Sequence, residues 1–190
     1  MKRILITSGP TWVPIDDARI ISNRSSGRLG KILVQEFRKK GARVHLLEGP
    51  LRFEEFLKSL KKELKNNYNI VIHAAAVSDY QLKKSFKRKL SSQLKNLKLD
   101  LIPTPKIIDL VKKTAPGVFL VGLKLESALT KKNVYQKCGR LFKDANCNLV
   151  VANSVKKEKY RAYILDKTKV LAEAFSREEL AKKLIKVLTL

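Results

Sequence analysis

Two stretches of this sequence hold residue types that bind anions. The first, IISNRSSGRLGK at residues 20–31, sets Ser25 and Ser26 beside Gly27 and Gly30 where a helical pattern begins. Serine hydroxyls, N–H groups freed by a glycine and the positive end of a helix dipole together favour a phosphate or carboxylate. The stretch is not a P-loop, which needs G-x-x-x-x-G-K-[ST]. Ile32 follows Gly30 and Lys31, and Ser25 stands where the first glycine belongs. The dinucleotide fingerprint G-x-G-x-x-G is two-thirds present, and it lies well downstream of the first apolar run rather than directly after it. Glu48, ending the second apolar run, could serve as a ribose-binding acid, so a nicotinamide-dependent enzyme stays open on these residues. A plain helix N-cap accounts for them as well.

The second stretch runs from Tyr80 to Asp100. It holds Lys83, Lys84, Lys87, Arg88, Lys89, Lys95 and Lys98, with no acidic residue between its ends. It sustains neither helix nor strand period, which predicts a basic flap at about 81–100 leaving from the end of a strand, as lids do. Cys138 and Cys147 lack C-x-x-C spacing, which argues against a disulfide framework or a zinc site, and both read as structural thiols.

These groups need a frame. Within 190 residues, short apolar runs alternate with helical patterns. RILITSG (3–9), RVHLLEG (43–49), NIVIHAAAV (69–77), PGVFLVGLKL (116–125) and CNLVVAN (147–153) read as strands. Helices are predicted over 26–40, near 52–66, near 105–114 and near 131–145. The pattern predicts a single α/β domain over residues 1–190, Rossmann-like, with a mostly parallel sheet and helices on both faces. YRAYILDKTKVLAEAF predicts a C-terminal hairpin turning at DKTK. SREELAKKLIKVL, with a Ser-x-x-Glu capping box, predicts a terminal helix. In such sheets ligands gather at the C-terminal strand ends, here TSGPTWVPIDDARIISNRSSG, AAAVSDY and GLKLES.

Composition narrows the classes. No apolar run approaches the roughly 18 residues of a membrane span, and the apolar part of MKRILITSGPTW, about four residues, is too short for a signal peptide. A cytoplasmic protein with no membrane partner is expected. The net charge of +24, from 41 Lys and Arg against 17 Asp and Glu, raises nucleic-acid binding as an alternative. Much of the excess sits on Lys-rich helix faces such as KKELKNN and ELAKKLIKVL, so it reads better as solvated surface.

The block ILITSGPTWVPIDDARIISNRSSGRLG resembles the signature of the phosphopantothenoylcysteine synthetase family, the ligases of coenzyme A biosynthesis. The resemblance continues through AAAVSDY, the Lys89–Leu90 pair, TPKI, VGLKLES and LVVAN. It implies a free-standing synthetase without the flavin-binding decarboxylase half. The implied reaction has two steps: the carboxylate of phosphopantothenate attacks the α-phosphate of a nucleoside triphosphate, CTP or else ATP, with Mg, and cysteine's amine then displaces the nucleotide. A homodimer with sites near the interface is also implied.

Residue by residue, the resemblance assigns Asn23 to the acyl carbonyl and Lys89 to the triphosphate. Ser25, Ser26 and Gly27 fall in the region of the phosphopantothenate phosphate, and Ala75 and Ala76 match small residues whose backbone approaches the substrate. Gly9 and Asp79 fall on the nucleotide side. So do Thr104, Pro105, Lys106 and Ile107, where the family has Asn-Pro-Asp-Ile, and Leu123, where it has Phe. Two family lysines align with Leu141 and Ala145, and Lys137, Arg140 and Lys143 lie nearby on the same predicted helix to replace them. No metal ligand is assigned.

Overall fold

The computed structural model of the chain describes residues 1–189. It begins with β1 (Arg3–Ser8), β2 (Thr11–Pro14), β3 (Ile20–Ser22), α1 (Arg28–Lys39), β4 (Arg43–Glu48), β5 (Leu51–Arg52) and α2 (Phe53–Glu63). There follow β6 (Ile70–His73), β7 (Tyr80–Leu82), β8 (Leu101–Pro103), α3 (Ile108–Thr114) and β9 (Phe119–Leu125). The chain then forms α4 (Val134–Lys143), β10 (Leu149–Lys156), β11 (Lys159–Leu165), β12 (Val170–Ala174) and α5 (Arg177–Val187).

The predicted apolar runs become strands of one seven-stranded sheet, in the order β12-β11-β10-β9-β6-β1-β4. Strands β10, β9, β6, β1 and β4 run parallel, while β11 and β12 are antiparallel to their neighbours. Parallel neighbours need crossover connections, and these place helices on both faces. Alternation along β1 then divides the core: Ile4 and Ile6 pack with α1 and α5, and Leu5 packs with α2, α3 and α4. All three are 0% exposed, so truncating one to Ala leaves a cavity costing about 2–5 kcal/mol. The predicted cap forms, with its return bond reaching the residue before the N-cap in place of the N-cap N–H. Ser176 Oγ accepts from the Glu179 N–H at 3.0 Å, and the Glu179 carboxylate reaches back to the Phe175 N–H at 2.7 Å.

The fold class is the predicted one, and three segments add to it. The CNLVVAN strand runs on to Lys156 and turns back through Lys157 and Glu158 into β11. Both turn residues have positive φ, yet neither is the Gly or Asn that usually signals such a hairpin. Residues between β1 and α1 are more than a strand-end loop: β2 and β3 pair as a hairpin, and β5 joins β2 in parallel, making a small arm over the strand ends. The basic flap has a built base, since β7 pairs antiparallel with β8 and the Lys83 N–H donates to Asp100 O at 2.9 Å.

Candidate active site

The first turn of α1 sits directly on the end of β1. Gly27, the N-cap, has φ 68°, a left-handed conformation that a side chain rarely adopts. Its carbonyl accepts from Ser8 Oγ at 3.0 Å and from the Lys31 N–H at 3.2 Å. Gly30 is fixed by proximity, because a Cβ there would lie 2.1 Å from Ser8 Oγ. No side chain caps the helix with a hydrogen bond, and its first turn carries no acidic residue. Ser25 Oγ and Ser26 Oγ meet the Gly27 and Arg28 N–H groups only at 3.4 Å. An N-terminus left in this state, with two hydroxyls beside it, suits an anion. Glu48 lies at the same place and pairs with Lys31 at 3.1 Å.

Residues 74–78 form a backbone rail over the strand ends. The Ala74 N–H donates to Thr7 O at 3.0 Å, the Ala75 N–H to Thr7 Oγ1 at 3.3 Å, and the Ala76 N–H to Gly9 O at 2.8 Å. The Thr11 N–H returns a bond to Ala76 O at 3.1 Å. Ser78 is tied to Thr11 through its N–H and its hydroxyl, and Thr104 Oγ1 donates to Ser78 O at 2.6 Å. Gly9 has φ 78° and passes close to Gly49, which fixes the turn out of β1. Asn23, at the end of the arm, donates from Nδ2 to Val77 O at 2.8 Å. Thus Asn23, Ala75, Ala76 and Gly9 come together. His73 stands beneath this rail, its Nδ1 2.9 Å from Thr7 Oγ1. Burial pushes its pKa down to about 4, so the ring is neutral at pH 7.

Lys89 is exposed, as are Lys87 and Arg88. The segment is attached to the arm at two residues. The Phe86 N–H donates to Ile15 O at 3.0 Å, and the Leu90 N–H donates to Asp16 Oδ2 at 3.0 Å. On the nucleotide side assigned by resemblance, Asp79 forms an ion pair with Lys106. Lys137 pairs with Glu126 at 3.5 Å, and Arg140 with Asp109 at 2.6 Å and Asp144 at 3.6 Å. Leu123 is partly buried against the core, and Ile107 is 2% exposed, so at 107 only the backbone is offered to a ligand. Pro105 is exposed beside the buried Thr104.

Three polar residues that sequence reasoning missed are Thr7, His73 and Asp16, all buried. His73 closes an apolar strand and gives no pattern of its own. Asp16 had a local signal: in PIDDAR, an aspartate two residues after a proline and three before an arginine suits a side-chain-bonded turn. Cys138 and Cys147 are free and buried, and burial pushes their thiols up to about 11 and about 12, as inert structural thiols require. Among the described residues, no group of three or more His, Cys, Asp or Glu side chains could hold a metal ion, and no helix is long and apolar enough to cross a membrane.

The family model described as the DNA/pantothenate metabolism flavoprotein C-terminal domain matches residues 1–189. A relative from Thermococcus kodakarensis, the coenzyme A biosynthesis bifunctional protein CoaBC, is 40% identical over 169 residues, covering 82% of this chain and 42% of that protein. The chain spans about half the length of the curated relatives it matches. The crystal structure of the DNA/pantothenate metabolism flavoprotein from Streptococcus pneumoniae superposes with a TM-score of 0.86 at 27% identity, covering 100% of this chain and 99% of that one. The C-terminal domain of a CoaBC protein superposes with a TM-score of 0.77 at 25% identity, covering 98% and 93%.

Proposed function

The chain belongs to the DNA/pantothenate metabolism flavoprotein C-terminal domain family, and from that membership we propose that it joins phosphopantothenate to cysteine in coenzyme A biosynthesis through an acyl-nucleotide. The observation that carries the reading is the bond from Asn23 to Val77 O, which ties an amide donor to the rail that carries Ala75 and Ala76, four residues before the open N-terminus of α1 at Gly27. A phosphate at that helix end, with Ser25 and Ser26, would orient the pantothenate arm along the rail. Its carboxylate then lies at Asn23 and attacks the α-phosphorus. An O–P bond forms, the bridging P–O bond breaks, and pyrophosphate leaves. Cysteine's amine next attacks the acyl carbon, a C–N bond forms, the nucleoside monophosphate leaves, and the amine loses its proton. One N–H of the Asn23 amide is spent on Val77 O, and the second is free to donate to the acyl oxygen as charge develops there.

Both substrates are polyanions, and Lys87, Arg88 and Lys89 supply positive charge against their repulsion. CTP is the proposed nucleotide. Mg is read as arriving with the triphosphate, because it binds readily through substrate phosphates and the described residues offer it no acidic cluster. A homodimer belongs to the same proposal, and the exposed Leu125 and Val155 on neighbouring strands give it an apolar surface. The test is incubation with phosphopantothenate, cysteine, Mg and each of four nucleoside triphosphates, followed by mass spectrometry. Phosphopantothenoylcysteine and a monophosphate, formed best with CTP, support the reading. No condensation with any nucleotide rejects it.

A further inference from the structure

Among the described residues, Asp16 is the one acidic side chain that is buried completely, and its carboxylate has a partner from the flap. The residue is 5% exposed and its side chain 0%. Oδ1 accepts the N–H groups of Ala18 at 2.9 Å and Arg19 at 2.7 Å, which closes the arm's own turn. Oδ2 accepts Arg19 Nη1 at 2.9 Å and, from a residue 74 positions away, the Leu90 N–H at 3.0 Å. Arg19 Nη1 also donates to Leu90 O at 3.2 Å. Asp16 and Arg19 therefore bracket the two polar groups of one flap residue, its N–H and its C=O. Four residues earlier the Phe86 N–H is held by Ile15 O. Between these two pins Lys87, Arg88 and Lys89 stand exposed as a short basic bow.

A buried carboxylate is costly unless donors surround it, and this one takes one of its four donors, the Leu90 N–H, from outside its own turn. The arm it belongs to ends at Asn23, whose amide is fixed to the rail. We propose that Asp16 is a positioning residue that latches the flap to the arm at Leu90 and so sets Lys89 relative to Asn23. The kinetic part of this inference rests on the reading of Lys89 as the side chain that meets the triphosphate. The latch itself does not.

The isosteric variant Asp16→Asn separates the two jobs. Its Oδ1 can still accept the Ala18 and Arg19 N–H groups, whereas an NH2 in place of Oδ2 cannot accept from Leu90 or Arg19. Residue-resolved amide exchange by NMR should show the Leu90 N–H released about tenfold or more faster in the variant, with the rail amides of Ala74 and Ala76 unchanged. Tryptic cleavage at Lys87–Lys89 should accelerate in parallel. In turnover, Asp16→Asn should slow pyrophosphate release in the parent background and have no further effect in a Lys89→Gln background, a non-additivity that a merely structural role would not produce. Unchanged Leu90 exchange overturns the latch, and additive losses overturn the positioning of Lys89. If the parent forms no product with any nucleotide, the proposed function has failed, and exchange and proteolysis still decide the latch. If Asp16→Asn does not fold, the parent decides it: the Leu90 amide must exchange more slowly than those of Arg88 and Ser91, and equal rates overturn the latch.

Discussion

The rail and the flap are held in different ways. Ala74, Ala75, Ala76 and Ser78 each hydrogen-bond to Thr7, Gly9 or Thr11, and the turn of α1 rests on Ser8 with no room for a Cβ at Gly30. From Lys83 to Lys98 the chain is almost wholly exposed, and its main-chain ties to the arm are at two residues, Phe86 and Leu90. The difference matches two demands that the proposed joining of polyanions would make. A reacting acyl group must be placed within fractions of an ångström, which a dense backbone lattice achieves. Phosphate charge needs cations that approach and withdraw, and a lightly tethered segment allows that.

If the rail side does the placing, its loss must be the most severe. Asn23→Ala is expected to lower turnover by roughly 10²–10³, the scale of one oxyanion donor, with little change in Tm. Steady-state kinetics beside thermal unfolding checks it, and an equal loss of stability would make Asn23 a turn residue only. His73 sharpens the same side through pH. Its ring takes a proton near 6.5 when unfolded and near 4 when folded, so its stabilisation is complete above about pH 6.5 and is lost as pH falls toward 4. The depression is worth about 3 kcal/mol. Urea midpoints at pH 7 and pH 5 should therefore fall less in His73→Gln than in the parent.

Gly30→Ala tests the packing directly. The added methyl meets buried Ser8, and the expected cost is about 1–3 kcal/mol with weakened phosphopantothenate binding, read by denaturation and by KM. On the flap, the smallest effect is predicted and it should be local. Lys89→Gln should slow the pyrophosphate-releasing step roughly tenfold, the scale of one charge-assisted bond, and Lys95→Gln, with the same change in charge, much less. Equal losses would mean that the flap acts as diffuse potential, and the contrast between the two regions would shrink to one of density.

Much of this was legible because it is local. Apolar runs gave the strands, Ser-x-x-Glu gave the cap of α5, and the serine–glycine turn gave the open end of α1. The arm was not legible: β3 spans three residues and β2 four, ending on a proline, so neither sustains an alternation. The Asp16 latch depends on a partner 74 residues away, which no spacing rule reaches. Motif likeness also fixes identity without orientation. Ile107 matches its motif position, yet its side chain packs in the core. Leu141 and Ala145, to which the resemblance aligned two lysines, are buried, and the nearby Lys137 and Arg140 are already paired with carboxylates.

The proposal that the carboxylate attacks the α-phosphate can be tested by following one atom. Phosphopantothenate labelled with ¹⁸O in its carboxylate is incubated with cysteine, Mg and CTP, and the products are weighed by mass spectrometry. Attack at the α-phosphorus transfers one label to the nucleoside monophosphate and leaves the pyrophosphate unlabelled. Label in inorganic phosphate, with a nucleoside diphosphate as co-product, would mean an acyl-phosphate route and would contradict this account.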